Sequence, residues 1–214
     1  MELDQKNLTA KFQVILECAK AGKIELKAGN KPLKDINNQS EIEKIKEKFI
    51  QGRSRKHPEA PKTVTDKAYL DVMRYYFDCL ETYETIEDLH KKAMGSENIV
   101  GDILERYLAF KLEPSGWVWV SGSVAKAVDF VYRWNDGSWV LLQVKNRDNS
   151  ENSSSSKIRE NTEIVKWFRT FSRTADTNWK NFPYLPTGVE LSEDEFRQFL
   201  IKYVKTLKEE IKRR

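Results

Sequence analysis

Around Pro114 and Gly116 the apolar period changes from about 3.6 residues to about 2, and the segment beyond this switch constrains the fold more than any other feature. Residues 117–120 and 127–134 read as strands. The turn Asn135-Asp136-Gly137 then leads into 138–145, and two apolar runs around such a turn signal a hairpin. Polar residues interrupt both runs. Asp129 sits between Val128 and Phe130, and Gln143 and Lys145 sit in the second run. Strand alternation sends Val140, Leu142 and Val144 to one side and Leu141, Gln143 and Lys145 to the other. A hairpin centred on Asp136 aligns Asp129 with Gln143, each seven residues from that centre.

The first ninety or so residues read mostly as helices. Residues 9–21 place Phe12, Ile15, Leu16 and Ala19 on one face, with Gly22 as a stop. Ser40 and Glu43 form a capping box ahead of Ile42, Ile45 and Phe49. Gly52, Pro58 and Pro61 break the pattern in a basic loop carrying Arg53, Arg55, Lys56 and His57. A helix is expected over 65–84, with Leu70, Met73, Phe77 and Leu80 in the core, and a short one ending at Gly95. Ser96 opens the next, to Leu112, with Ile99, Ile103, Tyr107 and Phe110 as its stripe. Gly101, inside it, suggests close approach of another backbone. A Ser-rich stretch follows Asn146, then a helix carrying Ile164, Trp167, Phe168 and Phe171. The last helix starts at a Ser192–Glu195 capping box. The order implies an α/β or α+β fold with a mixed central sheet flanked by helices. It suggests a helical region over 1–95, for dimer or DNA contacts, and a core over 96–214 that includes the C-terminal helix, together making one compact domain.

Phosphodiester hydrolysis needs a carboxylate for Mg²⁺, which prefers oxygen ligands, and a cation that orients the nucleophile or offsets charge on the phosphate. Asp129 fits the first role and Lys145 the second, with the Gln143 amide oxygen as a further ligand. The competing reading is a surface hairpin with a solvated Asp and Lys. The apolar surroundings weigh against it, because an unpaired charge there is costly.

The stretch VDFVYRWNDGSWVLLQVKN, preceded by a helix with Gly101-x-x-x-Glu105, resembles the PD-(D/E)xK nuclease core. LLQVKNRDNSENSSSSKIREN followed by VKWFRT is most similar to the SinI group of type II restriction enzymes. The resemblance implies a homodimer that cleaves double-stranded DNA with Mg²⁺ at a short, GGWCC-type sequence. It implies catalytic roles for Asp129, Gln143, Lys145 and Glu105, with Asp129, Gln143 and Glu105 as the metal set and Glu97 as the fallback for Glu105. Two positions depart from the pattern: Val128 replaces its proline, and Gln143 its second acid. Asp148 or Glu151 offers a compensating carboxylate.

Base edges are read chiefly by Arg, Asn and Gln. The segment after the strand carries Asn146, Arg147, Asn149, Asn152, Lys157 and Arg159, and is the first candidate DNA reader. Arg53, Arg55 and Lys56 are the second. A net charge of +4, from 37 basic and 33 acidic residues, permits a basic groove without requiring one. His57 and His90 are too far apart, with no cysteine pair, to suggest a zinc site. Cys18 and Cys79 read as buried thiols in a reducing cytoplasm, and no apolar run is long enough to span a membrane. The alternatives are a structure-selective repair or recombination nuclease of the same fold and an inactive nucleic-acid-binding module, which Gln143 keeps open.

Overall fold

Apolar residues at helical spacing turn the first two helices onto a common core. Helix α1 (Leu8–Lys20) buries Phe12, Ile15 and Cys18, and α2 (Gln39–Gly52) buries Ile42, Ile45 and Phe49. Between them lies a short antiparallel pair, β1 (Lys27–Ala28) and β2 (Lys31–Pro32). In this computed structural model the described residues are 7–29, 31–59, 62, 65–149 and 162–213. The cap of α2 is Asn38, whose side chain accepts the Glu41 amide at 3.2 Å, rather than Ser40. Asn is at least as good a cap as Ser, and it stands two residues earlier.

The chain divides into two compact units, Met1–Arg55 with Ile103–Arg214, and Lys56–Asp102. The first holds a mixed four-stranded sheet in the order β3 (Val118–Trp119), β4 (Phe130–Arg133), β5 (Trp139–Arg147), β6 (Ile164–Thr170). The first two pairings are antiparallel and the last is parallel. Val118, Val131 and Leu141 share a buried cluster with Phe12, Ile15, Ile42, Ile45 and Phe49, so α1 and α2 cover that face. Trp167, in register with Val144, packs against Trp179 and Phe182 on the other face. Trp179 in turn meets Tyr107 and Phe196, the latter on the terminal helix α5 (Glu193–Lys212). N-terminal helices and sheet therefore share one core. The architecture is mixed α+β.

The β4–β5 hairpin forms as its sequence indicates. Trp134 N–H donates to Ser138 O at 2.9 Å, and Gly137 takes φ 86°, a left-handed conformation that glycine adopts without strain. The register pairs Phe130 with Leu142, which is centred on Asp136. Residues 164–170 form strand β6 instead of a helix. Apolar residues at 164, 165, 167 and 168 fit both a helical face and a buried parallel strand, whose apolar run need not alternate. Backbone bonding to β5 decides between them.

In the second unit, α3 (Lys67–Tyr75) ends well before residue 84, and Phe77 and Leu80 are exposed rather than core. Helix α4 (Tyr83–Leu112) then runs unbroken through Gly95 and Ser96 for 30 residues and carries the chain back into the first unit. A mid-helix glycine costs about 1 kcal/mol, too little to break a helix of this length. Among the described residues nothing lies within 4 Å of a Cβ built at Gly101. The close approach is at Gly52 instead, where a Cβ would lie 2.2 Å from Gly122 N. Cys18 is buried and its thiol is pushed up to about 12, while Cys79 is only half-buried.

Candidate active site

Asp129 sits where the hairpin ladder departs from regular pairing. Phe130 is the register partner of Leu142, yet the Asp129 amide donates to Leu142 O at 2.9 Å. Two residues thus oppose one, the signature of a bulge, which re-aims a side chain. The freed carboxylate accepts the Val144 amide through Oδ2 at 2.7 Å, between Gln143 and Lys145. Burial pushes the Asp129 pKa up to about 6, with the Val144 hydrogen bond and the Lys145 charge pulling the other way. Gln143 is 4% exposed and Lys145 half-buried. Alternation places both on the face of Leu141. The structure therefore brings Asp129, Gln143 and Lys145 to the same stretch of β5.

Glu105, half-buried on α4, accepts the Trp119 indole N–H at 2.9 Å. One residue on, the Val120 amide donates to Asp129 O at 2.8 Å, so strand β3 links the two acids. Glu97 is exposed in the Lys56–Asp102 unit. Among the described residues no three His, Cys, Asp or Glu side chains converge as a metal cluster. Asp129 and the Gln143 amide offer oxygen donors only, which suits a hard cation that keeps most of its waters. Asp148 accepts the Ser172 amide at 2.8 Å, and hydrogen bonds from Ser172 hold its pKa below the usual range. It ties together the C-terminal ends of the parallel strands β5 and β6, and Glu151 lies outside the described residues.

With this geometry in place, the profile of the SinI restriction endonuclease family matches residues 1–206. The chain belongs to the SinI restriction endonuclease family. It is 50% identical over 177 residues to the type II restriction enzyme SinI of Salmonella infantis, covering 82% of this chain and 77% of that enzyme. It is 49% identical over 171 residues to the type II restriction enzyme Eco47I of Escherichia coli, covering 79% and 74%. This SinI-family protein is thus a type II restriction endonuclease. That activity sets aside the repair-nuclease and inactive-module alternatives. Among the described residues no helix is long and apolar enough to cross a membrane.

The residues expected to touch DNA in this SinI-family chain meet different fates. Arg53 is corrected: it is 2% exposed and forks onto Glu113, with Nη2 at 2.5 Å from Oε1 and Nη1 at 3.1 Å from Oε2. Lys11 joins the same carboxylate at 2.7 Å. A guanidinium so enclosed has no surface to offer a phosphate. Arg55 pairs with Glu210, and Lys56 with Asp102 at 3.0 Å. Asn146 Oδ1 accepts Arg169 Nε at 3.0 Å, and Arg147 Nη2 donates to Ser172 O at 3.2 Å. Both therefore brace the β5–β6 pair. Asn149 is exposed, and Asn152, Lys157 and Arg159 lie outside the described residues.

Sequence reasoning missed Arg106 and Glu113. Arg106, 1% exposed, donates to the carbonyls of Gly52, Arg53 and Ser54 and so satisfies the end of α2. Glu113 accepts the Trp119 amide besides Arg53 and Lys11. Together they fix α1, α2 and α4 around β3, and Glu105 is the residue next to Arg106. Arg106 lies on a helix among apolar neighbours, the one hint of its burial in the sequence.

Proposed function

We propose that this enzyme is a homodimeric, cytoplasmic, Mg²⁺-dependent endonuclease of the PD-(D/E)xK type that cuts double-stranded DNA at a GGWCC-type sequence. The observation that carries the reading is the Asp129 carboxylate, drawn by a bulge onto the Val144 amide between Gln143 and Lys145. Asp129 and Gln143, with Glu105 as a further carboxylate, would hold the cation. When bound, it polarises the phosphate and lowers the pKa of a water. Lys145 supplies what those oxygens cannot, a positive charge beside the phosphate. Among the described residues its ammonium makes no hydrogen bond or ion pair, so it can donate to the attacking water or to a phosphate oxygen. The apolar strands around these groups thin out competing water and strengthen each interaction.

Asn149, Asn152, Lys157 and Arg159 follow the site directly and are the proposed base readers; Lys56 is a proposed phosphate contact. A two-fold symmetric target calls for two copies, one site per strand. Tyr75, Tyr76, Phe77 and Leu80, at 63–92% exposure, offer the apolar face for that pairing. They present on the order of 600 Å² of apolar surface, counting roughly 150–250 Å² per aromatic ring. A standard interface buries about 800 Å² per partner. Incubating unmethylated phage DNA with the protein in Mg²⁺ or in EDTA tests the reading. Discrete fragments in Mg²⁺ alone, with ends mapping to GGWCC, support it; intact DNA, or a smear in Mg²⁺, contradicts it.

A further inference from the structure

Strand β3 carries a buried polar atom that meets one of the proposed metal ligands. Trp119 is 2% exposed, and its indole N–H donates to Glu105 Oε2 at 2.9 Å. The place of this residue is set from several sides. Its amide donates to Glu113 Oε1 at 3.2 Å, and its carbonyl accepts Arg53 Nη2 at 3.2 Å. The guanidinium carbons of Arg53 and Arg106 lie 5.4 and 5.2 Å from the Trp119 ring, within cation–π range. In the sheet, Trp119 is the register partner of Phe130, the residue after Asp129. The next amide, that of Val120, donates to Asp129 O. Two successive residues of β3 thus touch the two acids, one through its side chain and the other through its backbone.

An indole N–H is a single donor with no acceptor, and it carries no charge. It can orient a carboxylate without neutralising it, whereas an ammonium or guanidinium in its place would itself be the counter-charge. We propose that Trp119 is a positioning residue for the cleavage site: its indole N–H sets the Glu105 carboxylate in the orientation that holds the divalent cation. The inference rests on the active-site reading above. It gives the Arg53, Arg106 and Glu113 frame a purpose beyond stability, since that frame fixes the ring that orients the acid.

The test is Mn²⁺ binding to the free protein, followed by electron paramagnetic resonance, beside the Mg²⁺ dependence of cleavage. Trp119→Phe keeps an aromatic ring and removes the donor; Glu105→Gln removes the acid. Losing a hydrogen-bond partner of a metal ligand costs about 10–100-fold in metal affinity. Trp119→Phe should therefore weaken Mn²⁺ binding, and raise the half-saturating Mg²⁺, on that scale, with cleavage at saturating Mg²⁺ close to native. Added to Glu105→Gln, it should weaken binding no further, because both changes act through one carboxylate. An unshifted Mn²⁺ or Mg²⁺ titration in Trp119→Phe overturns the inference, as do losses that add in the double variant. Should urea unfolding in EDTA show that Trp119→Phe does not fold, 3-benzothienylalanine incorporated at position 119 decides on the same terms, since it replaces only the N–H by sulfur. Native titrations in Glu105→Gln would instead remove Glu105 from the metal set, and metal-independent cleavage by the native protein would bring down the active-site reading; the inference falls with either.

Discussion

Replacing Asp129 by Asn should stabilise the protein while abolishing cleavage. Burial raises the Asp129 pKa from 3.8 to about 6. Each unit corresponds to about 1.4 kcal/mol, so the ionised carboxylate costs the fold on the order of 2–3 kcal/mol. Asn is neutral and nearly isosteric, and its carbonyl oxygen can still accept the Val144 amide. The pH dependence follows from linkage. The folded state holds the Asp129 proton more tightly than the unfolded state, so native stability from this group is full below about pH 4 and is lost as pH rises through about 6. The Asp129→Asn variant would carry no such loss. Urea unfolding of both proteins in EDTA, from pH 4 to pH 8, measures the difference. It should be near zero at pH 4 and should reach about 2–3 kcal/mol in favour of Asp129→Asn at pH 8, a rise of roughly 5–10 °C in Tm for a chain of this size. A variant no more stable than native at pH 8, or a difference independent of pH, would refute the account of Asp129 as a strained, functional carboxylate.

Two further outcomes probe the frame and the assembly. Arg53→Ala leaves the Glu113 carboxylate buried with its main partner removed and should cost about 3–5 kcal/mol in denaturant unfolding; a change below about 1 kcal/mol would return Arg53 to the surface. Tyr76→Glu with Leu80→Glu should shift the protein from dimer to monomer in sedimentation velocity at micromolar concentration without lowering Tm, since both side chains are exposed; an unchanged dimer would place the interface elsewhere.

The hairpin and its polar interruptions were legible because turn chemistry and period-2 alternation are local. Asn135-Asp136-Gly137 set the register through Phe130 and Leu142, one residue short of Asp129 and Gln143. The bulge was not legible, since it depends on the Asp129 side chain taking the Val144 amide, which a strand pattern does not encode. Strand β6 was misread for a related reason: Ile164, Val165, Trp167 and Phe168 satisfy either period, and only β5 distinguishes them. Arg53 looked like part of a basic loop, but Glu113, sixty residues on, draws it inside. The exposed Phe77 and Leu80 sat at core spacing in sequence, although α3 stops at Tyr75.

The most direct test of the central claim is single-turnover cleavage of a target duplex by Lys145→Ala and Asp129→Asn, with binding measured in parallel. The cleavage rate of each variant should fall by at least about 100-fold, the scale expected when one charge-stabilising group is lost, with the duplex still bound. Cleavage by either variant within a few-fold of native would show that the chemistry lies elsewhere than on the Asp129–Gln143–Lys145 end of the hairpin.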